Sequence, residues 1–179
     1  MVVVPMGEGI SGQVKAAAAQ GIPVVLCSGQ LSPGSGAVST VTRQYELLGT
    51  MYAEWLAKQM GGKGEVAILS GLAGVPTAEY QRAAALETFK KYPDIKVVTT
   101  QYTQWSPTVA KKVAANLVTQ YPNLAGIWSD SGYGDIGVVQ AYYYLAPETK
   151  DFTVTDAGWN GDCFTATVNA PAYDTEAPV

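Results

Sequence analysis

Short apolar runs alternate along the chain with segments in which apolar residues recur every three or four positions. The runs predict buried β-strands, and the spaced segments predict helices with one apolar face. The predicted strands are residues 1–4, 22–27, 37–41, 66–69, 95–102, 124–128 and 152–155. The predicted helices are residues 13–20, 42–60, 77–89, 107–121 and 133–145.

The residues between these segments support the same order of elements. Gly21 and the pair Gly61-Gly62 are expected helix stops, Thr42 is the expected cap of the second helix, and Ser106-Pro107 is a strong helix start. Strands that alternate with helices through short connections predict an α/β fold, in which parallel sheets are covered by helices on both faces. Residues 156–179 break the pattern and predict an irregular segment.

Composition narrows the class of function. The chain has 179 residues, of which 47% are hydrophobic and 15% charged, and its net charge is −4. The lysine pairs at 90–91 and 111–112 fall on predicted helices, where they are solvated surface charges, so we expect no nucleic-acid partner. No apolar run reaches the roughly 18 residues of a membrane span, and residues 1–4 are too short for a signal peptide.

The residue types also limit the chemistry. The chain has no histidine, which excludes a Ser-His-Asp triad, a Cys-His dyad and a His-ligated metal within it. Cys27 and Cys163 have no metal-binding spacing, and whether they form a disulfide stays open. Gly71-Leu72-Ala73-Gly74 has the wrong spacing for a dinucleotide fingerprint and predicts a tight turn. We therefore expect no metal and no cofactor.

Polar and aromatic side chains recur where the predicted strands end. Because the carboxyl ends of parallel strands meet at one edge of a sheet, these residues should lie near each other. Aromatic rings that pack on C–H faces, together with planar groups that bond hydroxyls, are what a sugar site needs. The residues are Ser28, Gln30, Arg82, Tyr102, Gln104, Trp105, Asp130, Ser131, Tyr133, Asp156, Trp159 and Asn160.

The order and spacing of several segments resemble the type I periplasmic solute-binding proteins, in particular the ribose-binding branch. The likeness runs from Met1 to about Asn160. It rests on Ile22-Pro23-Val24-Val25, the helix 44–57, Gly71-Leu72-Ala73-Gly74 with Arg82, and Trp128-Ser129-Asp130-Ser131. The resemblance implies two three-layer αβα lobes that close on a sugar, without catalysis, and a receptor that docks on the membrane permease of an ATP-driven (ABC) importer. A periplasmic or extracellular location is implied with it.

The resemblance also implies roles for single residues. Arg82 matches an arginine that bonds sugar hydroxyls, Trp105 matches an aromatic position, and Asp130 stands where ribose binders have asparagine. Asp156 or Asn160 matches the carboxylate or amide of the cleft. The implied ligand-binding set is Ser28, Arg82, Trp105, Asp130, Tyr133, Asp156 and Asn160. Ser28-Gly29 replaces the Asp-Arg pair of ribose binders, so the resemblance does not point to ribose itself.

The domain boundaries follow from the same resemblance. Residues 1–42 match part of a first lobe, residues 43–156 match a second lobe, and residues 157–179 are an irregular tail or the start of a return to the first lobe. The hinge is expected near Val41–Gln44. Family members begin with two further strand-helix units, so we expect a fragment whose incomplete first lobe exposes strand edges and an apolar face.

Two other functions stay open at the level of sequence. The same fold serves as the sugar-effector domain of lac-repressor-type regulators, although no helix-turn-helix head is present in this chain. An α/β enzyme is the third alternative. The missing histidine and phosphate loop argue against it, whereas chemistry by Asp and Tyr is not excluded.

Overall fold

The chain folds into two sheets with helices packed against them. The computed structural model describes the backbone of residues 1–145, 152–157 and 163–168, and side chains as far as residue 142. A three-stranded parallel sheet lies near the start of the chain, and a five-stranded sheet follows it. The predicted α/β class with parallel sheets is therefore confirmed.

The first sheet has strand order β1-β2-β3. Its elements are β1 (Val2–Val3), a single 3-10 turn (Glu8–Ile10), α1 (Ser11–Ala19), β2 (Val25–Cys27) and β3 (Ser39–Val41). Residues 42–44 connect it to the rest of the chain.

The second sheet has strand order β5-β4-β6-β7-β8. Its elements are α2 (Tyr45–Gln59), β4 (Lys63–Ser70), α3 (Pro76–Phe89), β5 (Asp94–Tyr102), α4 (Pro107–Gln120), β6 (Leu124–Ser129), α5 (Gly132–Leu145), β7 (Phe152–Ala157) and β8 (Cys163–Val168). All its strand pairs are parallel except β7 with β8.

Helix starts show which of the predicted caps form. Ser106 caps α4 as predicted, because its hydroxyl accepts a hydrogen bond from the Val109 amide at 3.5 Å. Thr42 does not cap α2, so this prediction is wrong. The helix begins at Tyr45, no side chain bonds its cap, and the Thr42 hydroxyl instead donates to the carbonyl oxygens of Ser28 and Arg43 at 3.5 and 3.4 Å.

The central strand β4 of the second sheet is buried on both faces, as expected inside a parallel sheet. Alternate residues of β4 point to opposite sides, so Val66 and Ile68 pack with α2 and α3, whereas Ala67 and Leu69 pack with α4 and α5. All four side chains are fully buried. The apolar run that predicted this strand is therefore the centre of two cores, and it fixes the loops at the end of β4.

Helices α4 and α5 cross at very short range. A Cβ added at Gly137 would lie 2.0 Å from the carbonyl oxygen of Pro107 and 2.9 Å from the amide nitrogen of Lys111. Glycine is thus required there by the close approach of two backbones. This contact holds the second turn of α5 against the first turn of α4.

The first sheet is covered differently. Val14 of α1 packs with Val24 and Leu26 in a small buried cluster. Apolar side chains of the same part of the chain are more than half exposed, as expected for an incompletely covered sheet; they are Met1, Val2, Val4, Met6, Val38 and Val41.

The chain beyond β7 differs from the expectation of an irregular tail. Cys163–Val168 forms β8, which pairs antiparallel with β7 and extends the second sheet by one strand. The division into lobes at residues 42 and 156 stays a prediction.

Candidate ligand-binding site

The loops that follow β4, β5 and β6 meet at the carboxyl edge of the second sheet. Ser70 at the end of β4 is paired with Tyr102 of β5, and Leu69 is paired with Ser129 of β6. The ends of β5 and β6 therefore flank the end of β4, as the parallel order predicts. This placement brings Trp105 and Asp130 together.

Asp130 connects all three loops through its carboxylate. Its Oδ2 atom accepts hydrogen bonds from the Gly71 amide at 2.9 Å and from the Ser70 hydroxyl at 3.1 Å. Its Oδ1 atom accepts one from the indole Nε1–H of Trp105 at 3.1 Å. Burial raises the pKa of Asp130 above its usual value, although the bonds from Gly71, Ser70 and Trp105 each act to lower it. The group is a desolvated carboxylate surrounded by donors.

Trp105 lies directly against the backbone of Gly71. A Cβ added to Gly71 would be 2.0 Å from Cε2 and 2.1 Å from Nε1 of the indole. The loop that carries the indole is strained, because Gln104 and Trp105 have φ values of 55° and 52°, a region that residues with a Cβ rarely adopt. The amides of Thr103 and Gln104 donate to the carbonyls of Ser70 and Gly71 at 2.7 and 3.1 Å, which anchors this loop to β4.

Arg82 is already paired within its own helix. Its guanidinium donates to the carboxylate of Glu79, one turn earlier in α3, and Glu79 also accepts a bond from the Gly74 amide at 3.1 Å. This pairing lowers the pKa of Glu79 and raises the pKa of Arg82. The Arg82 side chain is 23% exposed, and its buried Nε–H has no hydrogen-bond partner in the described part of the chain. Tyr102 contributes a further electrostatic interaction that raises the pKa of Arg82.

Glu79 is a residue that the sequence prediction missed. The signal for it was present, since an acidic residue three positions before a basic one on a helix forms a side-chain pair. Its carboxylate joins the turn after β4 to the first turns of α3. Arg82 is therefore half of an ion pair in the first two turns of α3.

Ser28 lies in the loop after β2 of the first sheet. It is exposed and has a φ of 64°, and its hydroxyl lies 3.1 Å from the hydroxyl oxygen of Tyr45. Tyr45, which is buried, also donates a hydrogen bond to the Ser28 carbonyl. Tyr45 was not among the predicted site residues. No sequence signal separated it from the other apolar positions of its helix.

The remaining predicted site residues are only partly described. Tyr133, in the first turn of α5, is 61% exposed. Asp156 belongs to β7, but its side chain lies outside the described residues, and Asn160 lies outside them altogether. The seven predicted positions therefore stay predictions as ligand contacts.

Neither a metal cluster nor a membrane span is found in the described residues. Within those ranges no three His, Cys, Asp or Glu side chains are grouped as metal ligands. Among the helices that the structure describes, none combines the length and apolar character needed to cross a bilayer.

Comparison with known proteins identifies the class. Residues 1–158 match the family described as the periplasmic binding protein domain. This match covers most of the chain, and the two-sheet α/β fold agrees with it. The chain belongs to the periplasmic binding protein domain family.

Individual relatives are named for sugars and a sugar alcohol. The chain is 34% identical over 109 residues to the D-allose-binding periplasmic protein of Escherichia coli K12, and 27% identical over 144 residues to the xylitol-binding protein of Mycolicibacterium smegmatis. It is also similar, at 31% identity and a TM-score of 0.77, to the crystal structure of an ABC transporter periplasmic solute-binding protein from Actinobacillus succinogenes 130z with bound D-allose.

The matches cover much of this chain but only part of the other proteins. They include 60% and 79% of this chain for the two curated relatives, and 35% and 41% of those relatives. For the solved structure the values are 86% of this chain and 56% of that one. The chain thus spans about half or less of the proteins that it resembles.

Proposed function

We propose that this protein is a non-enzymatic receptor that binds a small carbohydrate at the Trp105–Asp130 edge of the second sheet. We further propose that it delivers this ligand to the membrane permease of an ABC importer from a periplasmic or extracellular location. The observation that carries the proposal is the indole of Trp105, held by Asp130 beside the end of β4. A fixed aromatic ring next to hydrogen-bonding groups is the composition of a sugar pocket.

The chemistry of the site suits hydroxyl-rich ligands. An indole face packs against the apolar C–H face of a sugar ring, which contributes affinity without a large loss of side-chain entropy because the ring is already immobilised. Arg82 presents a planar donor group. Its pairing with Glu79 already restricts the side-chain rotamers, so less conformational entropy would be lost on binding. The names of relatives that contain allose and xylitol support a ligand of this class.

Binding by one sheet edge alone leaves half of the ligand uncovered. We therefore propose that Ser28, at the carboxyl end of β2, faces the same ligand from the first sheet. Residues 42–44 join the two sheets, and the proposed hinge is at Val41–Gln44. Ligand then stabilises the closed arrangement by binding it more tightly than the open one.

A ligand screen by thermal shift tests the proposal. D-allose, xylitol, D-apiose, L-arabinose and D-ribose are titrated against the protein, and at least one should raise the melting temperature. A ligand at 100 times its Kd stabilises by about 2.7 kcal/mol. No shift with any sugar or polyol, together with a shift with a nucleotide, would contradict the proposal.

Two variants on one helix separate ligand contact from helix stability. Arg82→Ala should abolish the shift and change the unliganded melting temperature little, because partly exposed ion pairs contribute about 0–1 kcal/mol. Lys90→Ala is the matched control, since Lys90 pairs with Glu87 at the same spacing near the far end of α3 and both are exposed. Loss of the shift in both variants would show that Arg82 is not a specific contact.

A further inference from the structure

Most hydrogen-bond acceptor positions of the Asp130 carboxylate are occupied by donors from the protein itself. A carboxylate has about four acceptor positions, and three of those of Asp130 receive bonds from Ser70, Gly71 and Trp105. Few positions remain for ligand hydroxyls. The partners come from the end of β4 and from the loop after β5, and Asp130 itself follows β6, so the group links the ends of all three strands.

We propose that Asp130 is a positioning residue that holds the Trp105 indole against Gly71, and that the role requires a carboxylate rather than an amide. The part of this inference that concerns ligand affinity rests on the proposed sugar-binding function. The positioning itself is a property of the unliganded protein.

The indole needs such an anchor because its loop is strained. Gln104 and Trp105 both have left-handed φ values, and the chain adopts these only if contacts elsewhere compensate. The bond between Nε1 of Trp105 and Oδ1 of Asp130 is such a contact, made to a desolvated acceptor where hydrogen bonds are stronger than in water. The absence of a Cβ at Gly71 provides the space for the ring.

The hydrogen-bonding pattern predicts that asparagine will not replace Asp130 in this role. Two of the partners, the Gly71 amide and the Trp105 indole, are donors only, and they approach opposite oxygens. An asparagine amide would place its NH₂ group against one of them in either orientation. The Gly71 amide is fixed in the backbone, whereas the indole is able to rotate, so the side-chain oxygen should stay with Gly71 and Trp105 should be released.

Solvent exchange of the indole proton tests the inference directly. The Trp105 Nε1–H signal in a ¹H–¹⁵N spectrum is assigned with Trp105→Phe, and its exchange rate is measured in the wild type, in Asp130→Asn and in Ser70→Ala. Because hydrogen bonds to charged groups are strong, we expect exchange to accelerate at least about tenfold in Asp130→Asn. Ser70→Ala removes one bond to the same carboxylate but not the one to Trp105, and should change the rate by less than about twofold.

Ligand affinity provides the second measurement. For whichever sugar shifts the wild type, Kd should weaken at least about tenfold in Asp130→Asn and by less than about twofold in Ser70→Ala. A role confined to stability would lower the melting temperature of both variants without changing the indole signal. If Asp130→Asn does not fold, the solvent-exchange rate of the Trp105 Nε1–H proton in the wild type tests the inference alone. A rate as fast as that of free indole would overturn it.

The outcomes separate this inference from the proposed function. If no sugar binds the wild type but the indole exchange responds as expected, only the proposed function fails. If a sugar binds and Asp130→Asn changes neither exchange nor Kd, only the positioning role fails.

Discussion

Substituting Gly71 with alanine is a direct test of the contact between the β4 loop and Trp105. The three heavy atoms nearest to an added Cβ all belong to the indole, at 2.0, 2.1 and 2.5 Å. Carbon atoms in contact are about 3.5–4.0 Å apart, so the ring must move by about 1.5 Å. Gly71 does not have a positive φ, so its backbone accepts alanine without strain.

The expected free energy follows from what this movement breaks. A shift of about 1.5 Å separates Nε1 of Trp105 from Oδ1 of Asp130, which are 3.1 Å apart. Losing a hydrogen bond to a charged group costs about 1.5–3 kcal/mol. Replacing glycine by alanine returns about 0.4–1 kcal/mol through the entropy of the unfolded chain. The free energy of unfolding should therefore fall by about 0.5–2.5 kcal/mol.

The assay is urea denaturation of four proteins, the wild type, Gly71→Ala, Trp105→Ala and the double variant. Once the indole is removed, the added methyl has room, so Gly71→Ala should become neutral or stabilise by up to about 1 kcal/mol. Gly74→Ala is the control in the same loop. Gly74 has a φ of 78° and open space around its Cβ position, so its cost of about 1–2 kcal/mol should not depend on Trp105.

Equal effects of Gly71→Ala in the presence and absence of Trp105 would refute this reasoning. Such a result would mean that the indole does not lie over the Gly71 backbone in solution. An unchanged stability in the wild-type background would have the same meaning, because a Cβ at the observed position cannot coexist with the ring.

Three further predictions concern other parts of the fold. Glu8 accepts hydrogen bonds from Ser11 and Ser32 that lower its pKa, so its contribution to stability is present at neutral pH and is lost as pH falls through that lowered pKa. The difference in the free energy of unfolding between wild type and Glu8→Gln should therefore shrink as the pH is lowered from 7 through that pKa. Gly137→Ala should lower the free energy of unfolding by about 1–3 kcal/mol, measured by urea denaturation, because its Cβ would meet the Pro107 backbone. Ser106→Ala should cost about 0.5–1 kcal/mol through loss of the α4 cap in the same assay, and an unchanged midpoint would contradict it.

Much of the fold follows from the sequence because several of the strands contain simple apolar runs. Val66-Ala67-Ile68-Leu69 is buried on both faces, and such a run is visible without any tertiary information. The start of α4 at Ser106-Pro107 is also local chemistry. Strand β8 was missed although Cys163–Val168 alternates Phe, Ala and Val with threonine, because the prolines and glycine around it obscured the period of two.

The location of the site was predictable from the sequence, but its hydrogen-bond network was not. Parallel strand order alone brings the ends of β4, β5 and β6 together, so the proximity of Trp105 and Asp130 follows from the fold. The bonds that fill the Asp130 carboxylate depend on the rotamer of an indole in a left-handed loop, which no periodicity encodes. The pairing of Arg82 with Glu79 could have been predicted, because the two residues are three positions apart on a helix, but Glu79 was not among the predicted site residues.

The left-handed conformation of Gln104 and Trp105 has a consequence for evolution and for engineering. Each residue costs about 1–2 kcal/mol relative to glycine at the same φ. Selection for thermal tolerance alone should therefore favour glycine at position 104. That change would also give the chain beside the aromatic ring more freedom, so a stabilised variant obtained in this way should trade affinity for heat resistance. The strained pair thus marks the point at which selection for stability would oppose selection for the proposed sugar binding.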